Sequence, residues 1–467
     1  MLSPQEIYKL GNVSVVAPAG YGKTEVIAQI AGLGRRTLIL THTHAGVHAI
    51  KERLKKLSIP ASAVSVDTIA GWSMRYAHAF PKVANPPKDM PTTGDEWNQL
   101  YSGARATLDI PAIRDVVTSS YDRILIDEYQ DCPLLQHQLA IELSKIVPTT
   151  IFGDPMQGIF EFAGANLSWE DEIYHHFPLA TELEIPHRWT NTNPDLGSWI
   201  AEVRDKLLAG DQIDLEDPRI NFQLIPTANA FDMPFLFDSI DGKEGSIAGI
   251  HCAKGVCYDL AKATRGRYQA IEEIASGRLY KFAADWDGAT NGDGRRKAIT
   301  DLLSDCFHQR ALAEGEAKTP EEVSISTEMQ RLAATLDSSD SFENAKKLIT
   351  LCRDHPRWRL YRSGLWRDAE RSVQDMTFGR HTSIVDSVSE VRQRVSHTGR
   401  RLPLRTASTP LLLKGLEFDH VVVPDASHFV KQSSAQAKQF YVAISRATRT
   451  LSISSSSRYI QFSKPKI

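Results

Sequence analysis

The segment Val13–Thr24 (VSVVAPAGYGKT) constrains this chain more than any other stretch. A β-prone run, Val13–Val16, gives way to a loop of small residues that ends in Gly22-Lys23-Thr24. A helical pattern follows, with Val26, Ile27, Ile30 and Ala31 on one side. Strand, small-residue loop and helix in that order form a phosphate-binding turn, because loop N–H groups and a helix N-terminus converge on one anion. Lys23 is the residue to reach β and γ phosphates, and the Thr24 hydroxyl can ligate Mg²⁺. The nucleotide-facing candidates of this segment are Ala17, Ala19, Gly20, Gly22, Lys23, Thr24 and Glu25, with Ala17 standing where the usual pattern has its first glycine.

A chain of 467 residues is expected to form two or three domains. Its 42% hydrophobic and 24% charged content is that of a soluble globular protein, and no apolar run approaches membrane-spanning length. The first residues, MLSPQEIYKLG, show neither an apolar core nor a cleavage site, so no secretory signal is expected. Five scattered cysteines without a CxxC pair argue against a disulfide framework or a zinc site, and a cytoplasmic location is the expectation. With a net charge of −3, any nucleic-acid contact must come from a local groove rather than a basic surface.

Short β-runs alternate with helical patterns in the N-terminal part. Thr37–Thr41 reads as a strand, residues 45–57 as a helix, and residues 123–126 and 149–152 as further strands. This alternation predicts an α/β fold with a parallel sheet wrapped by helices. A polar, proline-containing stretch from about 72 to 120 interrupts it. A second α/β region is expected from near Leu179, with strands at 246–250, 421–423 and around Leu451 and Ile453. Between about 276 and 380 three stripes have helical spacing: Ile299/Leu302/Leu303/Cys306, Met329/Leu332/Ala333/Leu336 and Ala345/Leu348/Ile349/Cys352. They read as core-packing faces of a helical insertion. The expected organisation is a first domain over 1–170 with a small insert at 72–120, a second over 171–275 and 381–467, and a helical subdomain over 276–380.

Two more strand ends carry chemistry. Ile124-Leu125-Ile126 ends in Asp127-Glu128; Asp127 can hold Mg²⁺ and Glu128 can orient and deprotonate an attacking water. Residues 151–152 lead into Gly153-Asp154-Pro155-Met156-Gln157, where Gln157 can sense a γ-phosphate as donor and acceptor, or simply close an Asx-type turn. Between Arg353 and Arg371, six arginines alternate with Trp358, Tyr361 and Trp366. That pattern suits a nucleic-acid or protein surface, and equally an amphipathic helix with a solvated basic face.

Taken together, these segments resemble superfamily 1 helicases of the UvrD/Rep/PcrA type. APAGYGKT is similar to that family's phosphate loop, DEYQD (Asp127 to Asp131) to its DExQD signature, and GDPMQGIFEFAGA (Gly153 to Ala165) to its ATP–DNA coupling segment. PHRW at Pro186, LKGLEF at Leu413 and YVAISRAT at Tyr441 resemble later motifs in the same order. The resemblance implies two RecA-like P-loop domains with a small insertion in the first and a helical one in the second, and ATP with Mg²⁺ as cofactors. It implies Arg188 and Arg446 as arginine fingers delivered from the second core across a cleft. Gln5 would read adenine, His187 would stack on it in place of the usual tyrosine, and Gly415 and Glu417 would contact the nucleotide. Single-stranded or gapped DNA would meet Thr41, His42, Thr43, Thr68, Thr409 and Phe162, the last in place of the family's base-stacking tryptophan.

The resemblance thus implies an ATP-dependent DNA translocase or helicase, moving 3′ to 5′. The compact layout is also similar to the UvrD-like subunit of Gabija-type antiphage defence. That would make the chain a DNA-sensing ATPase that licenses a partner OLD-family endonuclease. A DNA-independent P-loop enzyme such as a kinase explains Lys23 and Asp127 but leaves Gln157, Glu417 and Arg446 without a role.

Overall fold

The computed structural model describes residues 1–88, 90–91, 93–159, 167–225, 242–271, 277–337, 341–398, 403–430 and 436–467. They fall into two compact units. The first comprises Met1–Ile220, Ser427–Thr450 and Arg458–Ile467; the second comprises Asn221–Ala426 and Leu451–Ser457.

The first unit is built on a parallel six-stranded sheet of β1 (Val13–Val16), β2 (Thr37–Thr41), β3 (Val64–Thr68), β4 (Arg123–Ile126), β5 (Thr149–Gly153) and β6 (Leu179–Glu182), in the order β3-β2-β4-β5-β1-β6. Both faces are covered, so the strands read as continuous apolar runs and their parity decides which layer each side chain joins. Val15, Ile39, Leu125 and Phe152 pack on one face with Ile27, Ile30, Ile50 and Leu54. Their neighbours Val16, Leu38, Leu40, Ile124, Ile126 and Ile151 pack on the other with Trp72, Leu139 and Phe177. A short antiparallel ribbon pairs β7 (Gln212–Asp214) with β16 (Tyr459–Gln461).

The second unit carries another six-stranded sheet: β8 (Asn221–Leu224), β9 (Ile247–Ile250), β10 (Gln269–Ala270), β13 (Arg405–Ser408), β14 (Phe418–Val423) and β15 (Ala447–Ser455, of which Leu451–Ser455 belongs to this unit), ordered β10-β13-β9-β14-β15-β8. The pairs β10–β13, β13–β9, β9–β14 and β15–β8 are parallel. A helical block follows β10, closed by the antiparallel ribbon of β11 (Phe307–Gln309) and β12 (Trp358–Leu360). Ile299, Leu302, Cys306, Leu332, Leu336, Ala345, Leu348, Ile349 and Cys352 are buried in its core.

Three features differ from the sequence expectation, and a fourth decides between its alternatives. The polar stretch 72–120 is helical, over Ile69–Ala79, Pro81–Ala84, Gly94–Thr107 and Pro111–Ser120, and packs on the first sheet: Trp72, Tyr76, Tyr101, Leu108 and Val117 belong to its core. Leu179–Glu182, expected to open the second domain, is instead the edge strand beside β1, tied there by Ser14 N–H to Pro178 O and Leu183 N–H to Val16 O. The helical block extends past 380, because Ile384 and Val388 of the helix Ile384–Thr398 pack into its core. In the arginine–aromatic stretch, Trp366 and Tyr361 are buried, Arg362 lies over the Tyr258 ring and Arg353 pairs with Glu370. Arg353, Arg359, Arg367 and Arg371 are exposed, so the aromatic side of the stretch packs while most of its arginines face solvent, as the amphipathic alternative has it.

Candidate active site

The phosphate loop leaves β1 with Ala17 N–H bonded to Gly153 O at 2.8 Å. Gly20 (φ +81°) and Gly22 (φ +80°) then take left-handed conformations that only glycine adopts without strain. A Cβ on Gly20 would stand 2.8 Å from Arg188 Cβ, and one on Gly22 2.9 Å from His187 Cδ2. Ala17 keeps a negative φ and its methyl group is buried in the core, so its backbone does not call for glycine. Gly22 caps the helix Lys23–Ala31 without any side-chain hydrogen bond, so no capping side chain competes for the N-terminal N–H groups.

Lys23 lies at the base of this loop, its Nζ 2.7 Å from Asp127 Oδ1 and 2.5 Å from Glu128 Oε1. Burial opposes its charge, but the two carboxylates outweigh burial and hold the ammonium's pKa above the ordinary lysine value. Asp127 follows the tip of β4. Glu128 has a left-handed backbone (φ +57°), a strained state for a residue with a side chain, and its N–H donates to Asp127 Oδ1 at 2.8 Å.

A hydrogen-bonded relay runs on from there. Gln130 Nε2 donates to Glu128 Oε2 at 2.5 Å, while Gln130 Oε1 accepts from Asp154 N–H at 3.0 Å. Asp154 Oδ2 accepts from Gln157 Nε2 at 2.9 Å, and Gln157 Oε1 accepts from Arg446 Nη2 at 3.3 Å. Asp154 Oδ1 also closes the Asx turn to Met156 N–H, so the turn and sensor readings of this segment coexist in one geometry. Arg446 is fully buried, with Nε donating to Val442 O. Arg188 N–H donates to Gly20 O at 2.9 Å and its Nη1 to Ser445 O at 2.5 Å. The two arginines belong to the same compact unit as Lys23, which corrects the expectation that a second core delivers them.

Sequence reasoning gave no role to Gln130, Asp154, Arg204 or Tyr441. Arg204 Nη1 pairs with Glu182 at 2.8 Å, and its Nη2 stands 3.7 Å from Asp154. Tyr441 accepts from the Ala19 N–H. Gln130, Asp154 and Tyr441 lie inside quoted motifs, so the signal was present in the sequence.

The other candidates scatter. Thr24 is half-buried on the first turn of its helix; Glu25 pairs with Arg53 at 3.0 Å and accepts from Gln29. Gln5 is exposed on the helix Pro4–Lys9, and His187 is exposed beside Gly22. Gly415 (φ +80°), the exposed Glu417 and the half-buried Thr409 lie in the second unit, around the turn Pro410–Leu413. Thr41 and Thr68 are buried; Thr43 and Thr68 serve as N-caps for Gly46 and Gly71 N–H. His42 Nε2 is 3.4 Å from Cys132 Sγ. Phe162 lies outside the described residues.

Among the described residues, no group of three or more His, Cys, Asp or Glu side chains is placed to hold a metal ion. The Thr24 hydroxyl and Asp127 carboxylate offer hard oxygen donors, a set that suits Mg²⁺ sharing its shell with phosphate and water. No helix of the described residues is long and apolar enough to cross a membrane.

Residues 94–178 match the family model of the UvrD/REP helicase N-terminal domain. No curated protein matches the chain. Among solved structures, arterivirus nonstructural protein 10 (helicase), in a complex with DNA, aligns over 95% of this chain at 9% identity and a TM-score of 0.35. The alignment spans 60% of that structure's length.

Proposed function

We propose that this chain is an ATP-dependent DNA translocase or helicase of the UvrD type, moving on single-stranded DNA from 3′ to 5′. The observation that carries the reading is the gathering around Lys23 of Asp127, Glu128 and, through the Gln130–Asp154–Gln157 relay, Arg446. The family match over 94–178, which includes DEYQD, supports it. Bound MgATP supplies the scissile phosphoanhydride and the divalent charge. Lys23 exchanges its two carboxylate partners for β- and γ-phosphate oxygens, which frees Glu128 to take a proton from the attacking water. Thr24 and Asp127 hold the ion. Gln157 reports on the terminal phosphate, and Arg188 and Arg446 offset the negative charge that builds up during cleavage. Glu417, Gly415, Gln5 and His187 complete nucleotide recognition in this reading, and Thr41, His42, Thr43, Thr68, Phe162 and Thr409 serve the DNA.

A DNA-sensing ATPase that licenses a partner nuclease, with little unwinding of its own, is the second reading. It is favoured by the helices over 69–120, which pack into the first unit's core instead of projecting as a separate strand-splitting module. ATPase assays with single-stranded, gapped and duplex DNA, run beside strand displacement, separate the two. Stimulated turnover with displacement supports the first reading, stimulated turnover without it the second, and turnover indifferent to DNA contradicts both.

A further inference from the structure

We infer that the helical block of the second unit contains a phosphate-binding pocket, distinct from the phosphate loop and formed around the ribbon of β11 and β12. A cavity of about 380 Å³ there is lined by Arg265, His308, Arg310, Arg357 and Arg359, with Glu316 and Glu322 as its acidic residues. Four arginines against two glutamates leave a formal charge of +2, on a chain whose net charge is −3. A local excess of that sign is not the background of this surface.

The pocket is held by specific structure. His308 and Arg359 are direct partners across the antiparallel ribbon, so both project from one face. The alternate residue Phe307 is buried against Trp366 on the other face. Arg265 sits in a left-handed conformation (φ +53°) at the end of the helix Lys254–Ala263, where Gly266 N–H returns to Ala261 O. A Cβ on Gly266 would stand 2.4 Å from Leu360 O, so this turn lies tight against the ribbon. Arg357 is neutralised in place by Glu316 at 2.9 Å and Glu322 at 2.5 Å. Among the described carboxylates Arg310 reaches Glu316 alone, at 3.7 Å. Arg265 and Arg359 make no ion pair with any described carboxylate; Arg359 Nη1 donates to Pro356 and Trp358 carbonyls. Thr319, the N-cap of the helix Pro320–Ala334, also lines the cavity, its N–H and hydroxyl already exchanged with Glu322 in a capping box.

The ligand chemistry follows. Fork-shaped guanidinium donors suit phosphate oxygens. Apart from the His308 imidazole no aromatic ring among the described residues lines the cavity, so the pocket suits phosphate more than base. The phosphates can belong to a nucleic-acid strand or to a free polyphosphate, and the pocket does not depend on the assignment of the phosphate loop.

The test uses the full chain carrying Lys23→Ala, which removes phosphate-loop binding, with and without Arg265→Ala/Arg359→Ala. Anisotropy with labelled oligothymidine is followed from ~50 to ~200 mM salt, beside calorimetry with inorganic pyrophosphate. If strand phosphates occupy the pocket, the arginine variant loses ~10-fold in DNA affinity and its salt slope falls by about 1.4. If a free polyphosphate does, one-to-one pyrophosphate binding disappears while DNA affinity holds. In either case Arg265→Lys/Arg359→Lys, which keeps the charge and loses the fork, restores part of the binding, and the thermal midpoint of each variant shows whether it is folded. Unchanged DNA affinity together with unchanged or absent pyrophosphate binding in a folded alanine variant overturns the pocket.

Discussion

The Tyr441 hydroxyl accepts a hydrogen bond from the Ala19 backbone N–H at 3.0 Å, tying the helix Gln436–Ile444 to the phosphate loop. Burial is complete at the phenol and pushes its pKa well above the ordinary tyrosine value, so it remains a neutral partner. Tyr441→Phe keeps the ring and orphans a buried N–H, at a cost of ~1–3 kcal/mol in urea unfolding. The loop loses its anchor as well, so ATP affinity weakens along with stability.

The two left-handed glycines differ in what surrounds them. Alanine at Gly20 meets Arg188 Cβ, which is fixed to the backbone, whereas alanine at Gly22 meets the end of the His187 side chain, which can rotate away. Both pay for the left-handed backbone, by roughly 1 kcal/mol or more. Gly20→Ala should therefore lose nucleotide binding more completely than Gly22→Ala, measured by titration with a fluorescent ATP analogue.

Arg446 touches Gln157 from a fully buried position. In the proposed role of arginine finger it would make turnover, and not ground-state binding, the quantity that collapses on mutation. Arg446→Lys should lower kcat by ~10³-fold or more, with a much smaller effect on ATP affinity. Equal losses in both would instead mark a structural role.

Behind the Asp127–Glu128 pair, Tyr129 Oη and His137 Nδ1 are 2.7 Å apart. Burial, and then the neighbouring His176, push the His137 pKa down to about 4 from 6.5. Between those values the unfolded chain binds a proton that the folded one does not, so stability falls as pH drops through that window. Each unit of the shift is worth at most ~1.4 kcal/mol. His137→Gln, which keeps a polar partner for Tyr129, should flatten the dependence of the urea midpoint between ~pH 7 and ~pH 5.

The parallel sheet of the first unit was legible because short β-runs alternate with helical patterns and Lys23, Asp127 and Gln157 each follow a strand; which layer Ile39 joins against Leu38 and Leu40 is visible only in the fold, since the run is apolar throughout. The stretch 72–120 was not, because Trp72, Tyr76, Leu108 and Val117 are spread among polar residues and short helices, and only the sheet beneath them makes one core of them. β6 was assigned to the wrong region because its partner β1 is remote in sequence and nothing local in Leu179–Glu182 names it. Between Arg353 and Arg371 composition alone could not tell a buried Trp366 from an exposed one. Arg188 and Arg446 were legible as a pair by motif, while their place in the Lys23 unit rests on tertiary contacts.

The most direct test of the central claim is ATP turnover by Glu128→Gln with and without single-stranded DNA. The substitution keeps the shape beside Lys23 and removes the base, so ATP binding persists while DNA-stimulated hydrolysis falls by at least ~10²-fold. Hydrolysis by the variant at the unmodified chain's DNA-stimulated rate would contradict it.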